Sequence, residues 1–475
     1  MNPSESVVSQ SSSEAARADS EDEVAGVSFR LEPASALEGE SRIPGDKSMS
    51  HRAIMFGAIA HGTTEVSGFL EGEDSLHTLA AFRAMGVDIE RGGPGAVVLR
   101  GKGPEALSAP GRSIYLGNSG TGMRLLTGLL AGIGLPVTLT GDASLNGRPM
   151  RRIVEPLAEM GAQVAMRADG TPPLVIAGGM PLTGIEYTCP IASAQVKSCL
   201  LLAGLHARGR TTVHEPGITR DHTERMLRGF GVEIRVEGRS ASIEGGQRLL
   251  GTTVAVPGDI SSAAFFIAGA AMTPGSHLRL SGVGMNPSRT GIVEILRLMG
   301  AAIVVENERE SGGEAVADLV VDGRELEGIE VPESLVSLAI DEFPVLFVAA
   351  AAARGRTVVS GAEELRVKET DRIEVMVRGL RALGADVTGT PDGAVIEGGR
   401  LRGGTVDSCG DHRTAMSFAM ASLIADGPIT VLDCANVDTS FPGFADVARR
   451  AGLAIERVVD DGESGGAVDS VGARP

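Results

Sequence analysis

The sequence predicts an α/β protein of two domains, each of three repeated units, with buried helices inside, sheets outside and a cleft between the domains. Three observations predict it. A helix–glycine–strand pattern recurs six times, each unit adds a second helix that is apolar on nearly every side, and a Pro-Gly-Asp motif occurs twice.

The first pattern is a helical segment that stops at a Gly and turns into an alternating strand. Met85-Gly86-Val87-Asp88-Ile89 is the first instance, and the others centre on Gly161, Gly231, Gly300, Gly384 and Gly452. The spacings are 75, 70, 69, 84 and 68 residues. Gly at each junction is the residue that ends a helix in left-handed backbone at no steric cost. Six units of this regularity mark an internal repeat. Length alone, as a soft prior, suggests about three domains; the repeat argues for two.

The second helices are Arg52 to Ala60, Met123 to Ala131, Ala194 to Leu205, Ala263 to Ala271, Pro344 to Ala353 and Arg413 to Ile424. A helix apolar all round is a buried helix. Polar residues stand at their starts: Ser48 and Ser50; Asn118, Ser119 and Thr121; Ser193; Ser261 and Ser262; Asp341; Asp411. N-capping accounts for most of them. If the buried helices of a domain run parallel, their starts gather on one face, and free N–H groups there attract anions.

Pro44-Gly45-Asp46-Lys47-Ser48 matches Pro257-Gly258-Asp259-Ile260-Ser261 at an offset of 213 residues. That places chain crossings, and candidate hinges, at Pro44-Gly45 and Pro257-Gly258. The expected division is 27–44 plus 257–458 as one domain and 45–256 as the other, with disordered acidic tails at 1–26 and 459–475. Asp46 has a counterpart in Asp259 and reads as structural. Lys47 is opposed by Ile260, so the fold does not require a cation there. Lys47-Ser48 lacks the Gly that a Walker A loop places before its Lys.

Composition limits the function classes. The chain has 475 residues, 43% apolar, with 65 Gly and 3% aromatic residues, so its cores are built from small and aliphatic side chains. Net charge is −18. The tails carry −5 and −3, and subtracting them leaves −10, so the basic stripe of a nucleic-acid surface is missing. No apolar run reaches the roughly 18 residues of a membrane span, and the first 26 residues lack the pattern of a signal peptide. Cys189, Cys199, Cys409 and Cys434 have no metal-type spacing and read as buried thiols of a cytoplasmic protein. Six similar units complete two domains within one chain, so a monomer is expected.

The densest charge lies in Arg366-Val367-Lys368-Glu369-Thr370-Asp371-Arg372, between an apolar and an amphipathic segment. Acids suit a helix start. Three cations at the same spot do not, and mixed charge of this density suits a site that binds an anion and moves a proton.

Seven stretches then fall in one order: Pro44 to Arg52, Leu116 to Arg124, Gly141-Asp142 through Arg148-Pro149-Met150, Ser193-Ala194-Gln195, Asp341-Glu342, Arg366 to Arg372, and Asp411-His412-Arg413. Together, across residues 27 to 458, they resemble the enolpyruvyl transferases, in the branch that acts on shikimate-3-phosphate. The resemblance implies two inside-out α/β domains of three βαβαββ units each. It implies transfer of the enolpyruvyl group of phosphoenolpyruvate to the 5-hydroxyl of shikimate-3-phosphate with release of phosphate, and no metal or organic cofactor. It further implies that Lys47, Ser48, Arg52, Ser193, Ala194, Gln195, Asp341 and Lys368 hold shikimate-3-phosphate. Lys47, Gly120, Arg148, Gln195, Arg372 and Arg413 would meet phosphoenolpyruvate. Asp341, Glu369 and Lys47 would be catalytic, Asp341 at the attacking hydroxyl and Glu369 at the methylene carbon. Two phosphates and two carboxylates call for such forked cations. A carboxylic acid that donates a proton needs a raised pKa, whereas neighbouring cations lower it. Arg124 reads as a supporting residue, Asp142 as a turn residue and His412 as a packed histidine.

Departures from the family pattern mark a divergent bacterial class: Asp46, His51, Leu125 and Lys197 are minority residues, and Thr439 stands where many relatives have Lys. Gly120 is the position where a larger residue gives tolerance to glyphosate, so Gly120 and the class point opposite ways on sensitivity. The related transferase acting on UDP-N-acetylglucosamine shares the fold, but it carries a Cys where this chain has Ala143 and Lys-Asn where this chain has Lys47-Ser48. A non-catalytic repeat protein that only binds anions is the alternative of another class.

Overall fold

A computed structural model describes residues 26–460. The expectation of disordered tails falls on residues outside that range, apart from its inner edges. There it is corrected, because Gly26–Glu32 and Ala454–Asp460 are strands and pair with each other from Gly26↔Asp460 to Glu32↔Ala454.

All six helix-ending glycines adopt positive φ, from 85° at Gly231 to 115° at Gly452. Each follows an outer helix, such as Glu73–Ala84 or Arg372–Ala382, and leads into a strand. The six apolar helices form at Lys47–Ile59, Gly120–Ile133, Ala194–Gly204, Ile260–Ala271, Phe343–Ala352 and His412–Ala421. Every residue of Ile260–Ala271 is buried, and each large apolar side chain so placed contributes roughly 1.5–3 kcal/mol. Small residues let these helices touch. A Cβ on Gly128 would stand 2.2 Å from the carbonyl oxygen of Cys199 on the neighbouring helix.

The strands form six small sheets, five of four strands and one of three. In the regular units the strand before the buried helix pairs in parallel with the strand after it, as Glu186–Thr188 does with Arg210–His214. A hairpin then completes the sheet. Two units exchange their leading strands. Glu38–Arg42, which precedes Lys47–Ile59, pairs with His277–Gly284, while Thr253–Ala255, which precedes Ile260–Ala271, pairs with His61–Ser67. The chain therefore passes twice between two bodies. The buried apolar residues fall into two clusters, one from Val27–Ile43 and Ile260–Ile455, the other from Met49–Val256. That is two cores, where length alone suggested three.

The crossings are tied to each other. The amide of Asp46 donates to Pro257 O at 2.8 Å, and that of Asp259 to Pro44 O at 2.9 Å. Gly45 is required, since a Cβ there would lie 1.8 Å from Gly68 O. Asp46 and Asp259 cap the two following helices, and both pair with buried Arg289. Burial raises the Asp46 pKa, but Arg289 and its neighbours overcome it and hold the carboxyl at about 2. The cap of the first buried helix is thus Asp46 and not Ser48. Cys189, Cys199 and Cys434 are buried free thiols, whereas Cys409 is partly exposed.

Candidate active site

Residues from the starts of all six buried helices line one cleft of about 550 Å³ between the two bodies: Lys47 and Ser48, Gly120, Ser193 to Gln195, Asp259, Asp341, His412 and Arg413. Ser119, Ser193 and Asp411 cap three of these helices. Asp341 caps nothing, because the next helix has Glu342 at its N-cap with no side-chain bond. Its carboxylate is left for the cleft. Nine Lys and Arg residues and seven carboxylates line the wall, a local excess of cations in a chain of net charge −18.

The charged run splits in two. Arg366 turns away, pairing with Asp371 at 2.6 Å and donating to Pro391 O at 2.6 Å, and Asp371 caps the Arg372–Ala382 helix. Val367, Lys368, Glu369 and Arg372 face the cleft. Buried Arg372 is the hub. It reaches Asp411 at 2.7 Å, Glu369 at 2.6 Å and Asp341 at 3.4 Å. Glu369 also meets Arg148 of the other body at 3.2 Å. Its burial raises the pKa, yet Arg372 and Arg148, with Lys47, hold it well below the usual carboxylate range. Asp341 pairs with Arg220 and lies 3.6 Å from Lys368. It too is depressed, burial being outweighed by Arg220, Lys368, Arg413 and Arg372.

On the opposite wall Lys47 Nζ is 3.1 Å from Asp74. Arg124 donates to Gln195 Oε1 at 2.8 Å, and Gln195 donates to Thr121 at 3.0 Å, so Arg124 orients Gln195. A Cβ on Gly120 would lie 3.0 Å from a terminal nitrogen of both Arg124 and Arg148. Asp142 accepts from Leu145 N and from Asn118, which in turn accepts from Arg148. It is a turn residue that also supports the arginine.

Most of the expected site residues meet here, with one exception. Arg52 lies beneath the cleft. Its guanidinium donates to Thr223 Oγ1 at 2.7 Å, to Ser198 Oγ at 2.9 Å and to Ser48 O at 2.9 Å, so it supports Ser48 from behind. His412 is buried but faces the cleft, with Nε2 unpartnered. Burial, then Lys47 and Arg413, keep it neutral. Thr439 is buried and donates to Asn436 O, off the cleft wall. Two cations that sequence reasoning passed over, Arg152 and Arg220, enrich the wall instead. Arg220-Asp221-His222 is itself a dense charged run before a helix, the signal by which Arg220 could have been found.

Such a cleft, with two depressed carboxylates each bridged by arginines and ringed by helix starts, suits a transferase of anionic small molecules held between two bodies of one chain. The family model of EPSP synthase (3-phosphoshikimate 1-carboxyvinyltransferase) matches residues 31–448. The chain is 60% identical over 430 residues to the 3-phosphoshikimate 1-carboxyvinyltransferase of Alkalilimnicola ehrlichii, covering 90% of this chain and 96% of that one. It is 59% identical over 430 residues to the enzyme of Methylococcus capsulatus, with 90% and 98% covered. The solved EPSP synthase of Acinetobacter baumannii superposes with a TM-score of 0.82 at 55% identity, over 91% of this chain and 100% of that one. The chain belongs to the EPSP synthase family and carries its activity, a step of the shikimate pathway.

Proposed function

We propose that the cleft binds shikimate-3-phosphate through Lys47, Ser48, Ser193, Ala194, Gln195, Asp341 and Lys368, and phosphoenolpyruvate through Lys47, Gly120, Arg148, Gln195, Arg372 and Arg413. Arg52 acts on the first set through Ser48. Asp341 takes the proton of the 5-hydroxyl as its oxygen bonds to C2 of phosphoenolpyruvate, and Glu369 protonates the methylene carbon. In the second half Glu369 recovers a proton from the new methyl group as the C–O bond to phosphate breaks. Lys47 stabilises the departing phosphate, which leaves as hydrogen phosphate with the proton that Asp341 took from the 5-hydroxyl.

The observation that carries this reading is that Glu369 lies between Arg148 and Arg372, at 3.2 and 2.6 Å, where a substrate anion fits. When phosphoenolpyruvate takes those arginines, Glu369 loses the partners that depress its pKa. Burial then dominates and raises it toward a value at which the group donates a proton. Glu369→Gln is therefore expected to bind both substrates while turnover falls by roughly 10²–10⁴. Rapid-quench phosphate release and calorimetric binding test this, and full turnover would remove Glu369 from the chemistry.

The domain division that accompanies this reading is 27–44 plus 257–458 against 45–256, hinged at Pro44-Gly45 and Pro257-Gly258. The protein works as a cytoplasmic monomer on small molecules, with no nucleic acid or membrane partner. Among the described residues no helix is long and apolar enough to cross a membrane.

A further inference from the structure

Glu314 of the first body pairs with His222 and Arg225 of the second away from the cleft wall, and three further ion pairs cross the cleft itself, each from an arginine packed with the second core to a carboxylate packed with the first: Arg148 to Glu369, Arg220 to Asp341, and Arg152 to Glu364. They are not equivalent. Glu369 and Asp341 do the chemistry proposed above, so substrates must open the first two pairs. Neither Arg152 nor Glu364 is claimed by a substrate in that scheme. Arg152 sits beside Ile153 and Val154 of the second core, and Glu364 precedes Leu365 of the first.

Glu364 Oε1 has two cationic neighbours. Arg152 Nη1 is 3.2 Å away and Lys368 Nζ is 3.7 Å away. Lys368 is also 3.6 Å from Asp341. Once substrate engages Asp341, Glu364 remains as the carboxylate holding Lys368 in place. Glu364 further offsets repulsion among the cleft arginines: burial, then Arg152 and Arg148, lower the Arg124 pKa to about 9, while Glu364 acts the other way.

We infer that Arg152 and Glu364 form a latch that stays made when substrates are bound, holding the two bodies together and making Glu364 a positioning residue for Lys368. The inference rests on the proposed substrate role of Lys368 for its kinetic consequence, though not for its effect on closure. Both side chains are about a third exposed, at 31% and 27%, so the latch is screened by salt.

The test uses the full chain as Arg152→Met, Glu364→Gln and the charge-swapped pair Arg152→Glu/Glu364→Arg. Calorimetric binding of shikimate-3-phosphate at low salt reads the substrate effect, and small-angle scattering at saturating shikimate-3-phosphate reads closure. Each single variant is expected to weaken shikimate-3-phosphate by about three- to tenfold, as coupled pairs do, to expand the shikimate-3-phosphate-bound particle, and to leave the melting temperature unchanged. The swapped pair recovers most of both losses, and molar salt shrinks the difference between parent and singles. Singles that bind and scatter like the parent, or a swap as weak as both losses summed, overturn the latch. Lys368→Met separates the two readings. If it binds shikimate-3-phosphate normally, the role of Lys368 fails, and scattering of the swapped pair still decides the latch.

Discussion

The two crossings are built on one plan and serve different ends. At each, Pro-Gly-Asp passes between the bodies, the Asp caps a buried helix, and Arg289 pairs with the Asp. The next residue differs. Lys47 reaches into the cleft beside Asp74, while Ile260 is 2% exposed in the first core. The amide of Lys47 even donates to Asp259 at 3.1 Å, so the structural half of one crossing places the working residue of the other. What recurs at both crossings is what the fold needs; the residue found only once belongs to the chemistry.

Three substitutions break or sharpen this contrast. Lys47→Met should lower kcat/KM about a thousandfold, roughly 4 kcal/mol, as loss of a preorganised charge does. Its melting temperature should match the parent, and a large drop would make Lys47 structural after all. Asp259→Ala should act through stability instead. It strips Arg289 of one partner and the Ile260–Ala271 helix of its cap. Breaking a buried pair costs about 3 kcal/mol, read by urea unfolding; a loss under about 1 kcal/mol would show that Asp46 alone suffices for Arg289.

The smallest effect concerns pH. His51, buried behind the first crossing against Thr78 and Ser119, is pushed down to about 3, first by burial and then by Lys47. Between about 3 and 6.5 the unfolded chain binds a proton there that the folded chain refuses, so stability falls as pH falls through that window. His51→Asn should flatten the decline of melting temperature from pH 6.5 to 4. An unchanged slope would assign the acid sensitivity to other groups.

Much of this was legible in the chain, for physical reasons. A helix that ends in left-handed backbone leaves a Gly, and a helix buried on all sides leaves no polar face, so the repeat could be read. The cleft could be read too, because its residues sit at helix starts that the repeat locates. Side-chain direction could not. Arg52 and Ser48 lie one turn apart on one helix, and only packing against Thr223 and Ser198 decides that Arg52 faces inward. Arg366 and Arg372 belong to one charged run, yet Asp371 draws one away and Asp411 holds the other. Arg152 and Arg220 matter because they meet acids across the cleft, a relation between residues 121 or more positions apart that no local pattern records.

The strand Gly26–Glu32 has a consequence for the birth of the molecule. It lies between Ile429–Leu432 and Ala454–Asp460 in a sheet whose fourth member is Gly404–Asp407, so its partners come from nearly the far end of the described chain. On the ribosome it waits unpaired while almost everything else is made. The Met49–Val256 core, by contrast, comes from one continuous stretch of chain, and its last strand, Thr253–Ala255, pairs with His61–Ser67 as soon as it emerges. The second body can therefore condense first during synthesis, and the first body closes last, around a strand that was translated before any other described here. Long-range pairing of this kind is slow to form and leaves an edge open to misassembly. The vulnerable interval in the life of this enzyme is the span between the emergence of Val256 and that of Ile455.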